Sequence, residues 1–315
     1  MFHEPVLLTP AVDLLVTRPD GVYVDGTLGG GGHARAILER LDKPGRLIAL
    51  DLDEEAVRFA NQQLMRKYKN KLVIKQANYK EFNKILHSLN IDKINGILLD
   101  LGVSSHQIDT AERGFSFSST AKLDMRMSKK QSLTAFDIVT TYSEQELARL
   151  FREFGEEKRY KSVARMIVKE RQRAAICTTR DLQAVVSRAL PFQQRVKSLA
   201  RIFQALRIAV NDELSNLSEV LNTCLDYLAE SGRIVVLSYH SLEDRMVKNF
   251  FKREAERCVC PPNLPLCVCG HTGRLKILTK RAVQASEQEI QCNPRSRSVR
   301  LRAAELLPTV SHTSS

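Results

Sequence analysis

The sequence predicts an α/β protein, with a mostly parallel twisted sheet covered by helices on both faces and interrupted by an inserted helical domain. Three observations predict this fold. Short β-rich runs alternate with helical stretches over the first hundred residues. A segment from about residue 134 to 209 contains only helical patterns. A strand pattern returns at residue 232, so we expect two separated parts of the chain to build one sheet.

The first part of the chain has four predicted strands with helices between them. The strands are VYVD (22–25), RLIALDLD (46–53), KLVIKQAN (71–78) and NGILLDLG (95–102). The helices are predicted at 33–41, 54–68 and 79–89. The runs LIAL and GILL are continuously apolar, as in strands buried on both faces. Because a parallel strand pair needs a long crossover connection, this order predicts a βαβαβαβ unit.

After Gly102 the pattern changes to basic helices. We expect residues 105–207 to form an inserted substrate-recognition domain between core segments 1–104 and 208–305. The segment TYSEQELARLFREFG offers a Ser to cap the start of a helix and a Gly to end it. Downstream, GRIVVLSYHS predicts a strand, LEDRMVKNFFKREAERC a helix, and LKILTK and SRSVRLRAAEL two further strands. Residues 306–315 are expected to be a flexible tail.

The formal net charge of +12 is concentrated in two parts of the chain. Residues 1–104 contain 14 basic and 13 acidic side chains, whereas residues 105–207 contain 20 and 11. Residues 158–207 alone contain 13 Lys and Arg against two acidic side chains, and residues 240–302 contain 13 against six. Cations that neutralise phosphates release counterions on binding, so this distribution favours a nucleic acid as partner. A merely solubilising basic surface is the alternative.

The compartment is predicted from what the sequence lacks. No stretch reaches the roughly 20 uninterrupted apolar residues that cross a bilayer, and MFHEPVLLTP has no signal-peptide pattern. We therefore expect a soluble, cytoplasmic protein with no membrane partner. The seven cysteines then favour reduced thiols or metal ligands over disulfides.

A cysteine-rich hairpin is predicted at residues 258–271, within the second core segment. Its candidate zinc ligands are Cys258, Cys260, Cys267 and Cys269, with His271 just beyond. Four thiolates can hold zinc tetrahedrally and staple a short insertion that is too small to have its own core. Because the spacing is C-x-C rather than C-x-x-C, free thiols are the alternative.

A glycine-rich loop lies between the first predicted strand and the first helix. Residues 29–32 are four consecutive glycines, followed by His33. A tight turn needs one or two glycines, whereas four permit positive φ angles and a close approach of the main chain to a ligand. Asp25, Asp51 and Asp100 lie at or within two residues of the ends of three predicted strands. Asp51 is placed to accept hydrogen bonds from ribose hydroxyls, so we expect a nucleotide-like cofactor here.

A nicotinamide cofactor is the rival interpretation of this loop. Gly29, Gly31 and Ala34 satisfy G-x-G-x-x-G/A, and Asp51 follows at about the expected spacing of 20 residues. Asp25, however, precedes the loop, where a carboxylate suits a cationic amino group better than a pyrophosphate. The acidic strand ends therefore favour a zwitterionic sulfonium ligand over a doubly anionic dinucleotide.

Nine stretches spread over nearly the whole chain form a distinctive set. They are HEPVLL, YVDGTLGGGGH, IALDLDEEA, GILLDLGVSSHQIDTAERGFSF, LDMRM, FGEEKRYKSVARMIV, RIFQALRIAVNDEL, SYHSLEDRMVK and NPRSRSVRLR. Together they resemble the MraW/RsmH family, the N4-cytidine methyltransferases of 16S ribosomal RNA. The resemblance implies a Rossmann-like class I methyltransferase core and S-adenosylmethionine as cofactor. It also implies transfer of the methyl group to the N4 amine of a decoding-region cytidine in the small ribosomal subunit.

The resemblance also implies which residues contact the cofactor. Carried over by position, they are Gly31, Gly32, His33, Asp51, Tyr79, Asp100 and Gln107. The chain departs from the family at Gly30, where members often have Arg, and at His106, where they often have Pro. Neither departure replaces a cofactor contact, so both bear on the stiffness of the loops rather than on activity.

The chemistry requires the poorly nucleophilic cytosine amine to be held in line with the methyl group. Asp100 is the candidate catalytic residue, since a carboxylate can accept from the amine protons, although Asp100 can equally serve only to hold the cofactor. A flipped-out base needs a stacking partner, for which Phe115, Phe117 and Tyr239 are candidates, with core packing as the alternative.

The remaining polar candidates lie in family-like motifs. Asp124 and His240 are two of them, and for His240 a structural hydrogen bond is the alternative to a catalytic role. Arg126, Arg295 and Arg297 are candidate contacts to RNA phosphates, with ordinary surface charge as the alternative. The expected partner is 16S ribosomal RNA within the small subunit, and a homodimer stays open.

Overall fold

The computed structural model describes residues 5–256, Cys260 and residues 272–308, and these divide into two compact units. We call residues 103–215 the helical unit, and the described residues before 103 and after 215 the sheet unit. The sequence placed the junctions after residues 104 and 207. The second junction lies further along the chain because the helix that contains residue 207 continues to Asn211. No helix of the described residues is long and apolar enough to cross a membrane.

The sheet unit is built on seven strands within the described residues. They are β1 (Val22–Asp25), β2 (Arg46–Asp51), β3 (Leu72–Gln76), β4 (Ile94–Asp100), β5 (Leu228–Ser238), β6 (Leu275–Ile277) and β7 (Arg300–Leu306). Their order across the sheet is β3-β2-β1-β4-β5-β7-β6. The first five strands pair in parallel, and β7 is antiparallel to both β5 and β6. The mostly parallel α/β sheet that the sequence predicts is therefore confirmed.

Thirteen α-helices are present in the described residues. They are α1 (Leu8–Leu15), α2 (Gly32–Arg40), α3 (Glu54–Tyr68), α4 (Phe82–Ser88), α5 (Ser105–Asp109), α6 (Ala135–Thr141), α7 (Glu144–Glu153), α8 (Tyr160–Arg171), α9 (Thr179–Arg188), α10 (Arg195–Asn211), α11 (Glu213–Cys224), α12 (Ser241–Ala255) and α13 (Glu287–Cys292). Within the sheet unit, α1, α2 and α3 contribute to one apolar cluster and α4, α11 and α12 to another. Successive strand residues enter different clusters, Leu47 the first and Ile48 the second, as strand geometry dictates. Both faces of the sheet are thus covered.

The helical unit has an apolar core of its own, formed mainly by α6 to α10. Its helices begin where side chains can cap them. Thr134, Ser143 and Thr178 each accept a hydrogen bond from the third residue of the following helix, whose carboxylate bonds back. Such capping boxes satisfy backbone groups that a helix start leaves without partners. The predicted N-cap at Ser143 is confirmed.

Several predicted elements are shorter in the structure, for local reasons. Strand β2 ends at Asp51 rather than at residue 53, because Asp53 caps α3 by accepting a hydrogen bond from the Glu55 amide. The predicted strand at 296–306 begins only at Arg300, because Pro294–Ser298 form a 3₁₀ turn. Strand β7 extends to Leu306, the first residue of the predicted tail. Residues 309–315 lie outside the described part of the chain.

Candidate functional site

Carboxylates end three neighbouring strands of the sheet unit. The strand order reverses between β1 and β4, which end at Asp25 and Asp100, and the adjacent β2 ends at Asp51. In open α/β sheets, ligands bind outside the carboxyl ends of the strands at such a reversal. The carboxylates expected from the sequence therefore lie together at the edge where a ligand is expected.

The glycine loop between β1 and α2 is bare of side chains for identifiable reasons. Gly29 and Gly31 have φ angles of +49° and +78°, which side chains disfavour. A Cβ on Gly26 would lie 2.7 Å from the Leu99 Cδ2 atom and 2.9 Å from the Tyr79 Cβ atom. Two glycines are thus required by backbone conformation and a third by close packing beneath the loop.

Asp51 holds the glycine loop against the end of β2. Its Oδ2 atom accepts a hydrogen bond of 2.7 Å from the Gly29 amide, and its Oδ1 atom accepts one of 2.8 Å from the Asp53 amide. Burial raises the pKa of Asp51 to about 6, against the lowering effect of these bonds. Each carboxylate oxygen has a second lone pair, so the side chain keeps capacity to accept from a ligand hydroxyl.

Asp25 is fully buried and only half satisfied. Its Oδ1 atom accepts a 3.1 Å hydrogen bond from the Thr27 amide, whereas Oδ2 has no hydrogen-bond partner. Burial raises the pKa of this carboxyl to about 7, although the charge of His33 lowers it. A buried acceptor without a donor costs free energy. The β1 end therefore offers an unmet acceptor that suits a cationic or N–H donor.

Asp100 is oriented by three side chains of the sheet unit. The Tyr239 hydroxyl donates a 2.8 Å hydrogen bond to Oδ1, and the His33 Nδ1 atom lies 3.4 Å from Oδ2. The backbone amide of Asp100 donates a 2.6 Å hydrogen bond to the Thr27 hydroxyl. Both carboxylate oxygens are therefore positioned by neighbours before any ligand binds.

The protonation of these neighbours follows from their surroundings. The His33 Nε2 atom lies 3.1 Å from the Val6 carbonyl, which can only accept, so Nε2 carries a proton. Burial lowers the pKa of His33, but the hydrogen bond and charge of Asp100 outweigh it and raise the pKa overall. Burial, together with Asp100, raises the pKa of Tyr239 well above its usual value. Tyr239 therefore stays a hydrogen-bond donor to Asp100.

The structure brings most of the predicted cofactor residues to one edge of the sheet unit. Gly31 and Gly32 start α2, which carries His33, and Tyr79 packs beneath Gly26. Gln107 belongs to the helical unit. There its side-chain Oε1 atom accepts a hydrogen bond from the Ser104 backbone amide at 3.0 Å. The backbone amide of Gln107 donates a hydrogen bond to the Ser104 hydroxyl at 3.2 Å. The Gln107 side chain thus helps to cap α5.

The aromatic candidates have structural contacts. Phe115 and Phe117 pack against the core of the helical unit, and Phe117 lies edge-on to Phe203 with ring centroids 5.4 Å apart. Tyr239 bonds Asp100, and its ring lies 3.4 Å from the position of a Cβ on Gly102. The two phenylalanines therefore pack against the core of the helical unit in this structure, as the alternative to base stacking predicts.

Arg126 and His240 also have structural partners. The Arg126 Nε and Nη2 atoms each donate a 2.8 Å hydrogen bond to the Asp124 carboxylate, and Nη1 donates to the Gln131 carbonyl at 2.7 Å. Burial raises the pKa of Asp124, but the bonds from Arg126 prevail and lower it overall. His240 is the N-cap of α12, where its Nδ1 atom accepts from the Glu243 amide. Arg126 thus links Asp124 to the Gln131 carbonyl within one loop, and His240 caps the start of α12.

The other candidate residues are placed as follows. Arg295 is half-buried and Arg297 is exposed in the 3₁₀ turn Pro294–Ser298. Cys260 is half-buried, whereas Cys258, Cys267 and Cys269 lie outside the described residues. The zinc site therefore stays a prediction.

Sequence reasoning missed Thr27 and the partnership of Tyr239 with Asp100. Tyr239 is 139 residues from Asp100 along the chain, and no local pattern links them. Thr27 stands inside the glycine loop that the sequence singled out, so its position was the available signal.

Comparisons with known proteins agree with this architecture. The chain matches the MraW methylase family model over residues 1–307. Three relatives bear the name ribosomal RNA small subunit methyltransferase H. The one from Heliobacterium mobile is 47% identical, over 96% of this chain and 98% of its own. Those from Caldicellulosiruptor saccharolyticus and Geobacter sulfurreducens are 47% and 48% identical, over 96% and 97% of this chain and 98% and 99% of theirs.

Proposed function

The chain belongs to the MraW methylase family, and from this premise we propose that it transfers a methyl group from S-adenosylmethionine to ribosomal RNA of the small subunit. In finer terms, the acceptor is the N4 amine of a decoding-region cytidine in 16S ribosomal RNA. The relatives' names support the RNA class, and the resemblance stated above supports the base and atom.

One observation carries the choice of cofactor: the buried Oδ2 atom of Asp25, which has no partner. S-adenosylmethionine carries an ammonium and a sulfonium group. An acidic strand end with an unmet acceptor suits such a cation and repels the pyrophosphate of a dinucleotide. The main chain bared by Gly29 and Gly31 provides the close approach that a nucleoside needs.

The proposed cofactor contacts in the sheet unit are Gly31, Gly32, His33, Asp51, Tyr79 and Asp100. Gln107 is proposed from the family resemblance alone. The bound cofactor supplies an electrophilic methyl group. Asp51 accepts from ribose hydroxyls while it holds the Gly29 amide. Asp100, held by Tyr239 and His33, offers a fixed carboxylate either to the target amine or to the cofactor.

Ligand titration tests the cofactor assignment. We expect S-adenosylmethionine to bind with a Kd of about 1 mM or tighter, and NAD not to bind in this range. Asp51→Ala should weaken S-adenosylmethionine at least about tenfold, which corresponds to roughly 1.4 kcal/mol. The control is Asp92→Ala, since Asp92 is exposed in the same unit. Binding of NAD alone would assign the loop to a dehydrogenase instead.

Nucleoside analysis tests the reaction. Small ribosomal subunits from cells that lack the protein should lose one methylated cytidine in mass spectrometry, and purified protein should restore it with labelled methyl groups. Naked 16S ribosomal RNA serves as the comparison substrate and distinguishes free RNA from an assembled particle. No incorporation into any assembly intermediate would favour a non-catalytic RNA-binding assembly factor.

A further inference from the structure

Two apolar side chains of the helical unit are far more exposed than any other large apolar side chain described. Phe192 is 78% exposed and Val196 is 70% exposed, whereas the next, Leu307, is 39% exposed. Phe192 opens a 3₁₀ turn, Phe192–Gln194, and Val196 lies in the first turn of α10. This pair is the most exposed set of large apolar side chains in the described residues, and neither side chain belongs to the core of the helical unit.

The segment that presents Phe192 is anchored on both sides. Leu190 and Leu199 are buried in the core of the helical unit. The Arg195 Nε atom donates a hydrogen bond to the Leu190 carbonyl at 3.3 Å, and the Gln194 side chain accepts one from the Arg159 Nε atom at 3.0 Å. The turn is therefore held in place while the Phe192 ring points outward.

Several cations lie in the segments that carry and anchor the exposed ring. The Arg195 guanidinium lies 5.5 Å from the centroid of the Phe192 ring, and Lys197 is exposed in the same helical turn. Arg159 is exposed just before α8 and is joined to this turn by its bond to Gln194, and Lys158 is exposed next to it in the sequence. Residues 182–211 contain five Lys or Arg and no Asp or Glu. We call Phe192, Val196, Arg195, Lys197, Lys158 and Arg159 together the Phe192 patch.

The cations of the Phe192 patch are not neutralised by carboxylates of the described residues. In the structure described here, Lys158, Arg195 and Lys197 form no ion pair with a carboxylate. By contrast, the other three cations of residues 182–211 are paired with carboxylates, Arg188 with Glu170, Arg201 with Glu157 and Arg207 with Glu213. The Phe192 patch is thus an aromatic ring set among cations that keep their charge available for an anionic partner.

We propose that the Phe192 patch binds unpaired nucleotides of the RNA substrate, with one base stacked on Phe192 and the flanking phosphates beside Arg195 and Lys197. This inference rests on the proposed action on ribosomal RNA and adds a binding surface outside the cofactor site. An exposed aromatic ring within a positive surface is the combination that binds single strands, because every base has a face that can stack. Bases in a duplex have both faces covered.

A second protein chain fits the Phe192 patch less well. The buried centres of protein interfaces are depleted of charge, and Lys is under-represented in them. Here lysines flank the two apolar side chains without acidic partners. An RNA strand satisfies the cations and the ring together, whereas a protein surface would have to be strongly acidic to do so.

The test measures binding of a fluorescent single-stranded RNA of mixed sequence, about 20 nucleotides long, and of the same RNA as a duplex. Phe192→Ala should weaken the single strand about tenfold and the duplex less than threefold. Phe192→Tyr keeps the ring and should bind within twofold of wild type. Phe192→Leu keeps apolar surface without a ring and should bind the single strand as weakly as Phe192→Ala. Phe136→Ala, which removes a 38% exposed ring from the same unit, is the matched control.

The charge component has a separate signature. Lys197→Ala should reduce the slope of log affinity against log salt by about 0.7, the value for one phosphate contact on a single strand. Phe192→Ala should leave this slope unchanged, because stacking releases no counterions. The melting temperature and S-adenosylmethionine affinity of both variants should equal those of wild type.

Each contrary result has a distinct meaning. Equal binding by wild type and Phe192→Ala, rescue by Phe192→Leu, or absence of RNA binding by wild type would overturn the proposal. So would a change of oligomeric state in Phe192→Ala at constant RNA affinity, which would assign the patch to a second copy of the chain. If wild type methylates small subunits while these results occur, only this inference fails. If wild type transfers no methyl group to RNA, the proposed function itself fails.

Discussion

The protonation of Asp25 couples the stability of the sheet unit to pH. Burial raises its pKa from about 4 in the unfolded chain to about 7 in the folded protein. The folded state therefore binds more protons between these two values than the unfolded state. The free energy of unfolding then falls as pH rises from about 4 to 7, and this effect levels off above pH 7. Asp51, whose pKa is raised to about 6, acts in the same direction.

Asp25→Asn should remove this dependence, since the amide can keep the bond from the Thr27 amide without carrying a charge. We expect the variant to gain stability relative to wild type by about 2 kcal/mol between pH 5 and pH 8. Urea unfolding of the ligand-free protein at both pH values measures the difference. Asp92→Asn, at an exposed position, should show no such change. A constant offset between Asp25→Asn and wild type would mean that Asp25 does not titrate in this range.

The hydrogen bond from Tyr239 to Asp100 allows the two roles of Asp100 to be separated. Tyr239→Phe keeps the ring beside Gly102 and removes only the hydroxyl donor. If Asp100 acts on the target amine, kcat for methyl transfer should fall about tenfold while S-adenosylmethionine affinity stays within threefold. If Asp100 holds only the cofactor, the affinity falls instead. Tyr227→Phe, which removes an exposed hydroxyl near His87, is the control, and no effect of Tyr239→Phe on either quantity would refute a positioning role.

Among the elements, the glycine loop makes a specific demand on backbone conformation at Gly31. Gly31 is the N-cap of α2 and has a φ angle of +78°. A Cβ there would also lie 3.0 Å from the Leu64 Cδ1 atom. The loop therefore uses a conformation and a clearance that glycine provides without strain at this position.

Gly31→Ala should weaken S-adenosylmethionine binding at least about tenfold and cost about 1 to 2 kcal/mol of stability, since a left-handed conformation is strained for alanine. Calorimetric titration and urea unfolding measure the two effects. Gly30→Ala is the matched control, because Gly30 is not among the glycines with positive φ. Equal losses in both variants would mean that loop flexibility, rather than the conformation of Gly31, governs binding.

For the whole molecule, the affinities of the two proposed ligands should differ in their sensitivity to salt. The excess positive charge lies outside residues 1–104, whereas the cofactor-site carboxylates are buried or half-buried. Salt screens exposed charges far more than buried ones. Raising salt from 50 to 200 mM should weaken single-stranded RNA roughly a hundredfold if about five phosphates are contacted. S-adenosylmethionine affinity should stay within about twofold. Filter binding measures the RNA affinity and calorimetry measures the S-adenosylmethionine affinity. Equal sensitivity of the two affinities to salt would refute separate electrostatic origins of the two sites.

Sequence periodicity was sufficient for elements whose signals are local. The bounds of β1 and α3 agree with prediction to the residue, because a short β-rich run and the helical spacing of apolar side chains are properties of a few neighbouring residues. The 3₁₀ turn before β7 and the antiparallel direction of that strand were not predicted. Strand direction depends on which partner a segment pairs with, and pairing is a long-range choice.

By itself, the sequence determined the class of fold, the glycine loop with its acidic neighbours, and the unequal distribution of charge, since each is encoded in adjacent residues or in composition. Only the tertiary structure decided that Asp25 has an unpartnered oxygen, that Tyr239 and His33 orient Asp100, and that Phe192 stays exposed. Burial and desolvation arise when distant segments pack together. The surroundings that change a pKa, or leave a ring in solvent, therefore exist only in the folded chain.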